Sequence, residues 1–128
     1  MKRSSVYVVD DNEVVRRVLK GIIQQDNQLL YVGETTHGEP ALAAIDKLHP
    51  DVLCLDVQMP GEIDGIGVLK YVKESSPATK VVMITGYATP ELVKEARELG
   101  VGGFIVKPFN AARVLNMIHA AIASPGTP

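Results

Sequence analysis

The sequence contains no tryptophan, one cysteine, four tyrosines and two phenylalanines. A single thiol cannot form an intramolecular disulfide, which excludes a disulfide-stapled secreted scaffold and makes the reducing cytoplasm the expected setting. Cys54 lies inside an apolar run, where a small core side chain is the simplest role. No hydrophobic run approaches the roughly 20 residues of a membrane span. The apolar stretch 6–9, after the basic start Met1-Lys2-Arg3, is too short for a signal-peptide core. Positive charge is not in excess either: a formal net charge of -2 and a pI near 5.9 argue against a basic nucleic-acid face. The three histidines, His37, His49 and His119, share no ligand spacing.

What remains is the content of one ordinary globular domain, 128 residues of which 46% are hydrophobic and 22% charged. Five short β-branched or apolar runs recur at 6–9, 29–32, 52–55, 81–84 and 104–106, as parallel strands buried on both faces require. Segments of helical period separate them. Val15, Val18, Leu19, Ile22 and Ile23 keep three-and-four spacing over 13–25, and Ala41, Leu42, Ala44, Ile45 and Leu48 do so before His49-Pro50 ends the helix. Ile66, Leu69, Tyr71 and Val72 mark a third helix, closed by Ser75-Ser76-Pro77. Thr89-Pro90-Glu91 starts a fourth, with Leu92, Ala96 and Leu99 as its stripe and Gly100 as its end. Asn110 caps the last, which runs to about residue 123. Five β-α repeats predict a doubly wound α/β fold with helices on both faces of a parallel sheet.

In such folds ligands bind beyond the carboxyl ends of the strands. Asp10-Asp11 follows the first run directly and Asp56 follows the third. Each alone could be a helix cap. Together, carboxylates on neighbouring strand ends repel by roughly 4 kcal/mol per pair at ~4 Å and an effective dielectric near 20. A cation among them, or a proton on one of them, relieves this. Hard oxygen ligands beside room for a phosphate favour Mg²⁺, with Mn²⁺ as the alternative. The fourth run delivers Thr85, a hydroxyl donor, then Gly86, and the fifth delivers Lys107, then Pro108. A lysine at the mouth of the sheet suits a phosphoryl oxygen.

Four motifs, in order and at these separations, resemble the receiver domain of two-component response regulators, of the chemotaxis-regulator type. They are Val8-Val9-Asp10-Asp11-Asn12; Leu55-Asp56-Val57-Gln58-Met59-Pro60 with Asp64-Gly65; Ile84-Thr85-Gly86; and Gly103-Phe104-Ile105-Val106-Lys107-Pro108-Phe109. The likeness spans nearly the whole chain, with a receiver domain over 1–123 and a short tail, 124–128, of linker composition. It implies a (βα)5 flavodoxin-like sheet of order 2-1-3-4-5. It also implies that Asp56 accepts a phosphoryl group from a sensor histidine kinase or a histidine phosphotransfer protein. Asp11, Asp56 and the backbone carbonyl of Gln58 would hold Mg²⁺, with Asp10 acting largely through water. Thr85 and Lys107 would bind the phosphoryl group, Phe104 would be the aromatic that reports it, and the Lys107-Pro108 bond is commonly cis in the family. The resemblance further implies a switch that changes partner binding through the fourth helix, fifth strand and fifth helix. Such a domain acts upon itself and is not a turnover enzyme.

The chain departs from the pattern in the loop 59–65, one residue longer than the commonest form, and in the bulky Tyr87 two residues after Thr85. Gln58 and Tyr87 are therefore expected to tune loss of the phosphoryl group. On the last helix Ala111, Leu115, Ile118 and Ile122 form one apolar stripe expected to face the core. Val114, Met117 and Ala121 form a second beside it, core or else a dimer or partner surface. Glu13, Val14 and Arg17 are placed where a kinase helix would dock. Other classes fit less well. An aspartate-nucleophile phosphatase needs a second aspartate where Gln58 stands, and Gly65-Ile66-Gly67 lacks the third glycine of a dinucleotide fingerprint. A receiver-like module that works without phosphorylation ranks below a phosphorylated one because all the motif residues are present. No DNA-binding segment follows residue 122, so the expectation is a single-domain regulator or the receiver portion of a longer protein.

Overall fold

The computed structural model describes residues 2–124. Strands β1 (Ser4–Val9), β2 (Leu29–Thr35), β3 (Val52–Leu55), β4 (Lys80–Thr85) and β5 (Gly103–Val106) alternate with helices α1 (Glu13–Gln24), α2 (Gly38–Leu48), α3 (Gly65–Ser75), α4 (Pro90–Glu98) and α5 (Ala111–Ala123). All strand pairs are parallel, in the order β2-β1-β3-β4-β5 expected from the sequence. The expected tail lies, from residue 125 onward, outside the described residues. Among the described residues no helix is long and apolar enough to cross a membrane.

The period-two alternation of each strand divides the core into two layers. Val6, Val8, Val52, Cys54, Val82 and Ile84 face one way and pack with α1 and α5 through Leu19, Ile23, Val114 and Ile118. Tyr7, Val9, Leu53, Leu55, Val81 and Met83 face the other way and pack with α2, α3 and α4 through Ile45, Val68, Leu69 and Ala96. Burial of Cys54 pushes its thiol up to about 12, so it is an inert core group.

Helix boundaries follow cap chemistry. Asn12, Asp64, Thr89 and Asn110 each accept a backbone N–H from the first turn of α1, α3, α4 and α5, at 3.1, 2.9, 3.1 and 2.8 Å. His49, at φ 42°, and Gly100, at φ 81°, turn the chain out of α2 and α4.

Three expectations need correction. On α5, Ala111 is exposed, while Val114, Ile118 and Ala121 are fully buried and Leu115 and Ile122 only partly so. The seam therefore runs between the two apolar stripes, because Gly102 and Gly103, just before and at the start of β5, lie under Ala121 and Met117. On α1, Val18 points to solvent, and so does Leu48 at the end of α2. Strand β2 continues past Val32 to Thr35, held by a register shift against β1 between Val6 and Tyr7.

Candidate metal and phosphoacceptor site

The strand order changes direction between β1 and β3, whose carboxyl ends carry the aspartates. The Asp56 N–H donates to the Val9 carbonyl at 2.9 Å, which fixes the two ends side by side. Asp10 is buried, its Oδ1 accepting the Asn12 N–H at 2.9 Å, and Asp11 points outward. One carboxylate oxygen from each of Asp10, Asp11 and Asp56 lies within 4.8 Å of the others.

Lys107 reaches this cluster from the far side of the sheet. Its backbone N–H donates to the Thr85 carbonyl at 2.7 Å, and its peptide bond to Pro108 is cis, as expected. The ammonium Nζ lies 3.0 Å from Asp10 Oδ2 and 3.6 Å from Asp56 Oδ2. Burial raises the Asp56 carboxyl to about 6, and the charge on Asp10 adds to the rise; Lys107 and the Gln58 N–H pull against it. One lysine among three carboxylates leaves the cluster negative. An all-oxygen donor set with residual negative charge fits a hard divalent ion such as Mg²⁺.

The remaining expected residues are arranged around this centre. Thr85 is fully buried, and its Oγ1 donates to the Tyr87 carbonyl at 3.2 Å and accepts the Tyr87 N–H at 3.3 Å. Its hydroxyl is thus engaged with the next loop. The Gln58 N–H donates to Asp56 Oδ1 at 3.4 Å. The Tyr87 side chain is 65% exposed, standing off the site as a flank. Phe104 is half-buried against the α2–α3–α4 layer. The structure therefore gathers Asp10, Asp11 and Asp56, pairs Lys107 with Asp10 and Asp56, and leaves Thr85, Tyr87 and Phe104 as neighbours.

Two contributors were given no role from the sequence, Gly65 standing there only within the Asp64-Gly65 motif. A Cβ at Gly65 would lie 2.4 Å from the Asp56 carbonyl oxygen and 2.6 Å from Val57 Cα, so the start of α3 touches the backbone of Asp56 itself. The signal was a glycine at the first helical position, directly after the Asp64 cap. The other is Arg16, whose Nη1 donates to the Asp10 carbonyl at 2.9 Å. The long loop 59–65 lies down on the start of α2, where a Cβ at Gly38 would meet the Ile63 carbonyl at 2.4 Å. Cavity size does not locate the site. An open groove of about 530 Å³, lined by Lys2, Arg3, Gln28 and His119 among others, lies at the opposite, amino-terminal ends of the strands.

A five-stranded 2-1-3-4-5 sheet with aspartates at the ends of β1 and β3 and a lysine at the end of β5 defines a receiver-type signalling domain. The chain belongs to that family: residues 6–119 match the model of the response regulator receiver domain. It is similar to the chemotaxis protein CheY of Listeria monocytogenes, with 35% identity over 116 residues that cover 91% of this chain and 96% of that protein. It is also similar to the transcriptional regulatory protein YdfI of Bacillus subtilis, with 34% identity over 119 residues. That match covers 93% of this chain and 55% of YdfI, so the chain spans about half the length of that relative. Among solved structures, the signal receiver domain of a response regulator NarL from Mycobacterium tuberculosis superposes with a TM-score of 0.91 at 27% identity. The match covers 98% of this chain and all of that one. The chain is thus a two-component signalling domain, of a family that works as phosphorylatable switches rather than turnover enzymes.

Proposed function

We propose that this chain accepts a phosphoryl group on Asp56 from the phosphohistidine of a sensor kinase or phosphotransfer protein, in a Mg²⁺-dependent reaction. The observation that carries the reading is the gathering of three carboxylates from two adjacent strand ends, two of which, Asp10 and Asp56, are paired with one lysine from the end of a third strand. A carboxylate oxygen of Asp56 attacks phosphorus. The new O–P bond gives an acyl phosphate, while the P–N bond breaks and its electron pair returns to the imidazole. Asp11, Asp56 and the Gln58 carbonyl would hold the metal, Asp10 acting through water, and the metal supplies neutralising charge to the phosphoryl oxygens. Lys107 leaves its carboxylate partners to pair with a phosphoryl oxygen. Thr85 exchanges its bonds with the Tyr87 backbone for one to the same group, and Phe104 turns as Thr85 moves. Phosphorylation adds roughly -1.5 to -2 charges at the mouth of the sheet. That is enough to bias two states a few kcal/mol apart and alter partner binding on the α4–β5–α5 face. Water later hydrolyses the acyl phosphate, with Gln58 and Tyr87 setting the pace. The free Cys54 thiol suits a cytoplasmic setting.

The test is incubation with acetyl phosphate, with and without Mg²⁺, followed by intact mass measurement beside an Asp56→Asn variant. One Mg²⁺-dependent phosphoryl addition, absent from the variant, is the expected result. No addition to the wild-type chain overturns the reading in favour of a module that binds partners without phosphorylation.

A further inference from the structure

We infer that Arg16 is a positioning residue for the acidic pair Asp10-Asp11, held in place by a Glu34–Tyr31 brace that an extra residue in β2 brings to bear on it. The inference rests on the reading of that pair as a metal-binding site.

The Arg16 side chain is 14% exposed, and its guanidinium works at both ends of its fork. Nη1 donates to the Asp10 carbonyl oxygen at 2.9 Å, and Nε pairs with Glu34 Oε2 at 2.8 Å. The other carboxylate oxygen of Glu34 accepts the Tyr31 hydroxyl. Glu34 is held below its ordinary pKa chiefly by that hydroxyl, with Arg16 adding to the effect, and so stays ionised near neutral pH.

This brace depends on an irregularity in the edge strand. Tyr31 and Glu34 are three residues apart, and regular alternation would put them on opposite faces of the sheet. The register gives Val6 opposite Tyr31 but Tyr7 opposite Gly33, so Val32 is an extra residue in β2. The bulge restores Tyr31 and Glu34 to one face, the face of α1. Gly33 fits there because a Cβ would lie 2.8 Å from the Tyr7 ring.

The effect converges on the two peptide units that flank Asp10. The Asp10 N–H donates to the Thr35 carbonyl at 3.1 Å, the residue after Glu34, while the Asp10 carbonyl is held by Arg16. That carbonyl belongs to the peptide joining Asp10 to Asp11, so fixing its plane fixes the departure of both side chains. Among the described residues the neighbouring Arg17 pairs with Glu13 alone, on an open face, both side chains being more than 70% exposed. It has the same charge and nearly the same place without the contact.

The test is a Mg²⁺ titration of the unphosphorylated full chain, followed in ¹H–¹⁵N spectra, for wild type, Arg16→Met, Arg16→Lys, Glu34→Ala and Arg17→Met. Arg16→Met keeps the packed stem and removes the fork. It should weaken Mg²⁺ affinity about tenfold, the scale on which supports of metal ligands act, and move the Asp11 amide resonance before any metal is added. Glu34→Ala should move both in the same sense, and Arg17→Met should stay within twofold of wild type. Arg16→Lys keeps the charge and cannot serve both partners, so it should fall with Arg16→Met. Wild-type affinity in Arg16→Lys would make the effect one of charge alone and overturn the positioning role, as would wild-type affinity in Arg16→Met. Should Arg16→Met fail to give a folded spectrum, Glu34→Ala and Tyr31→Phe are read by the same criteria. A wild-type chain whose Asp10, Asp11 and Asp56 amides ignore Mg²⁺ overturns the metal reading itself, and this inference with it.

Discussion

Lys107 stands closer to Asp10, at 3.0 Å, than to Asp56, at 3.6 Å. The single ammonium thus pairs first with the carboxylate that is most deeply enclosed and only second with the proposed acceptor. In this state it acts as the internal counter-ion of a cluster that would otherwise hold buried like charges.

Replacing Lys107 by Met should therefore destabilise the metal-free chain. Breaking a fully buried pair costs about 3–5 kcal/mol, and a lysine still 23% exposed should cost less, on the order of 2 kcal/mol. Saturating Mg²⁺ should recover most of the loss. Urea unfolding midpoints with and without Mg²⁺ check this; an equal loss under both conditions would show that the lysine is not serving as the counter-ion.

Asp56→Asn should raise stability at neutral pH when metal is absent. The carboxyl is raised from 3.8 to about 6 on folding, so between those values the folded chain binds the proton more tightly than the unfolded one. Stability from this group is thus full below pH 4 and is lost as pH rises through 6. The loss is about 3 kcal/mol at about 1.4 kcal/mol per pKa unit. The variant cannot ionise and lacks this loss. The difference in urea midpoint between variant and wild type should open between pH 4 and 7; a constant difference would refute the assigned shift.

Two glycine-to-alanine changes should act in opposite directions. Gly65→Ala drives a Cβ into the backbone of Asp56 and Val57, which cannot give way locally, and should cost about 1–3 kcal/mol while weakening phosphorylation. Gly21→Ala, exposed within α1 with nothing within 4 Å of the new Cβ, should stabilise by about 0.5–1 kcal/mol. Thermal unfolding of both variants, with acetyl phosphate labelling of the first, decides the matter.

Tyr87→Ala should leave stability within about 0.5 kcal/mol, as for other exposed side chains, because Thr85 bonds the Tyr87 backbone and not its ring. If the ring screens the phosphoryl group from water, the variant should lose its label several-fold faster in a decay followed by mass. An unchanged decay rate would remove Tyr87 from the tuning role.

The fold and the four clustered residues were legible because each strand is a short apolar run that ends on a polar side chain. Topology then brings Asp10, Asp11, Asp56 and Lys107 to one edge. What escaped was whatever depends on phase or on backbone approach. Val32 reads as the end of a strand, yet the strand runs on through a bulge that no residue type announces. Arg16 and Arg17 are indistinguishable by composition, and only the rotation of α1 selects the inner one. The apolar arc of α5 is so wide that several rotations satisfy it, and the two small residues Gly102 and Gly103 choose among them. Gly65 carried a visible signal, but its cause, contact with the Asp56 backbone, is a tertiary fact.

The division of the core into two layers has a mechanical consequence. The sheet is a partition: α1 and α5 lean on one side of it, and α2, α3 and α4 on the other. Neighbours in β5 are assigned to opposite rooms, Ile105 to the first and Phe104 to the second. A partner reading only α5 would sense one room, and one reading only α4 would sense the other. The flank of β5, an edge strand that ends just before Lys107, is the place beside the site where a single partner can touch both.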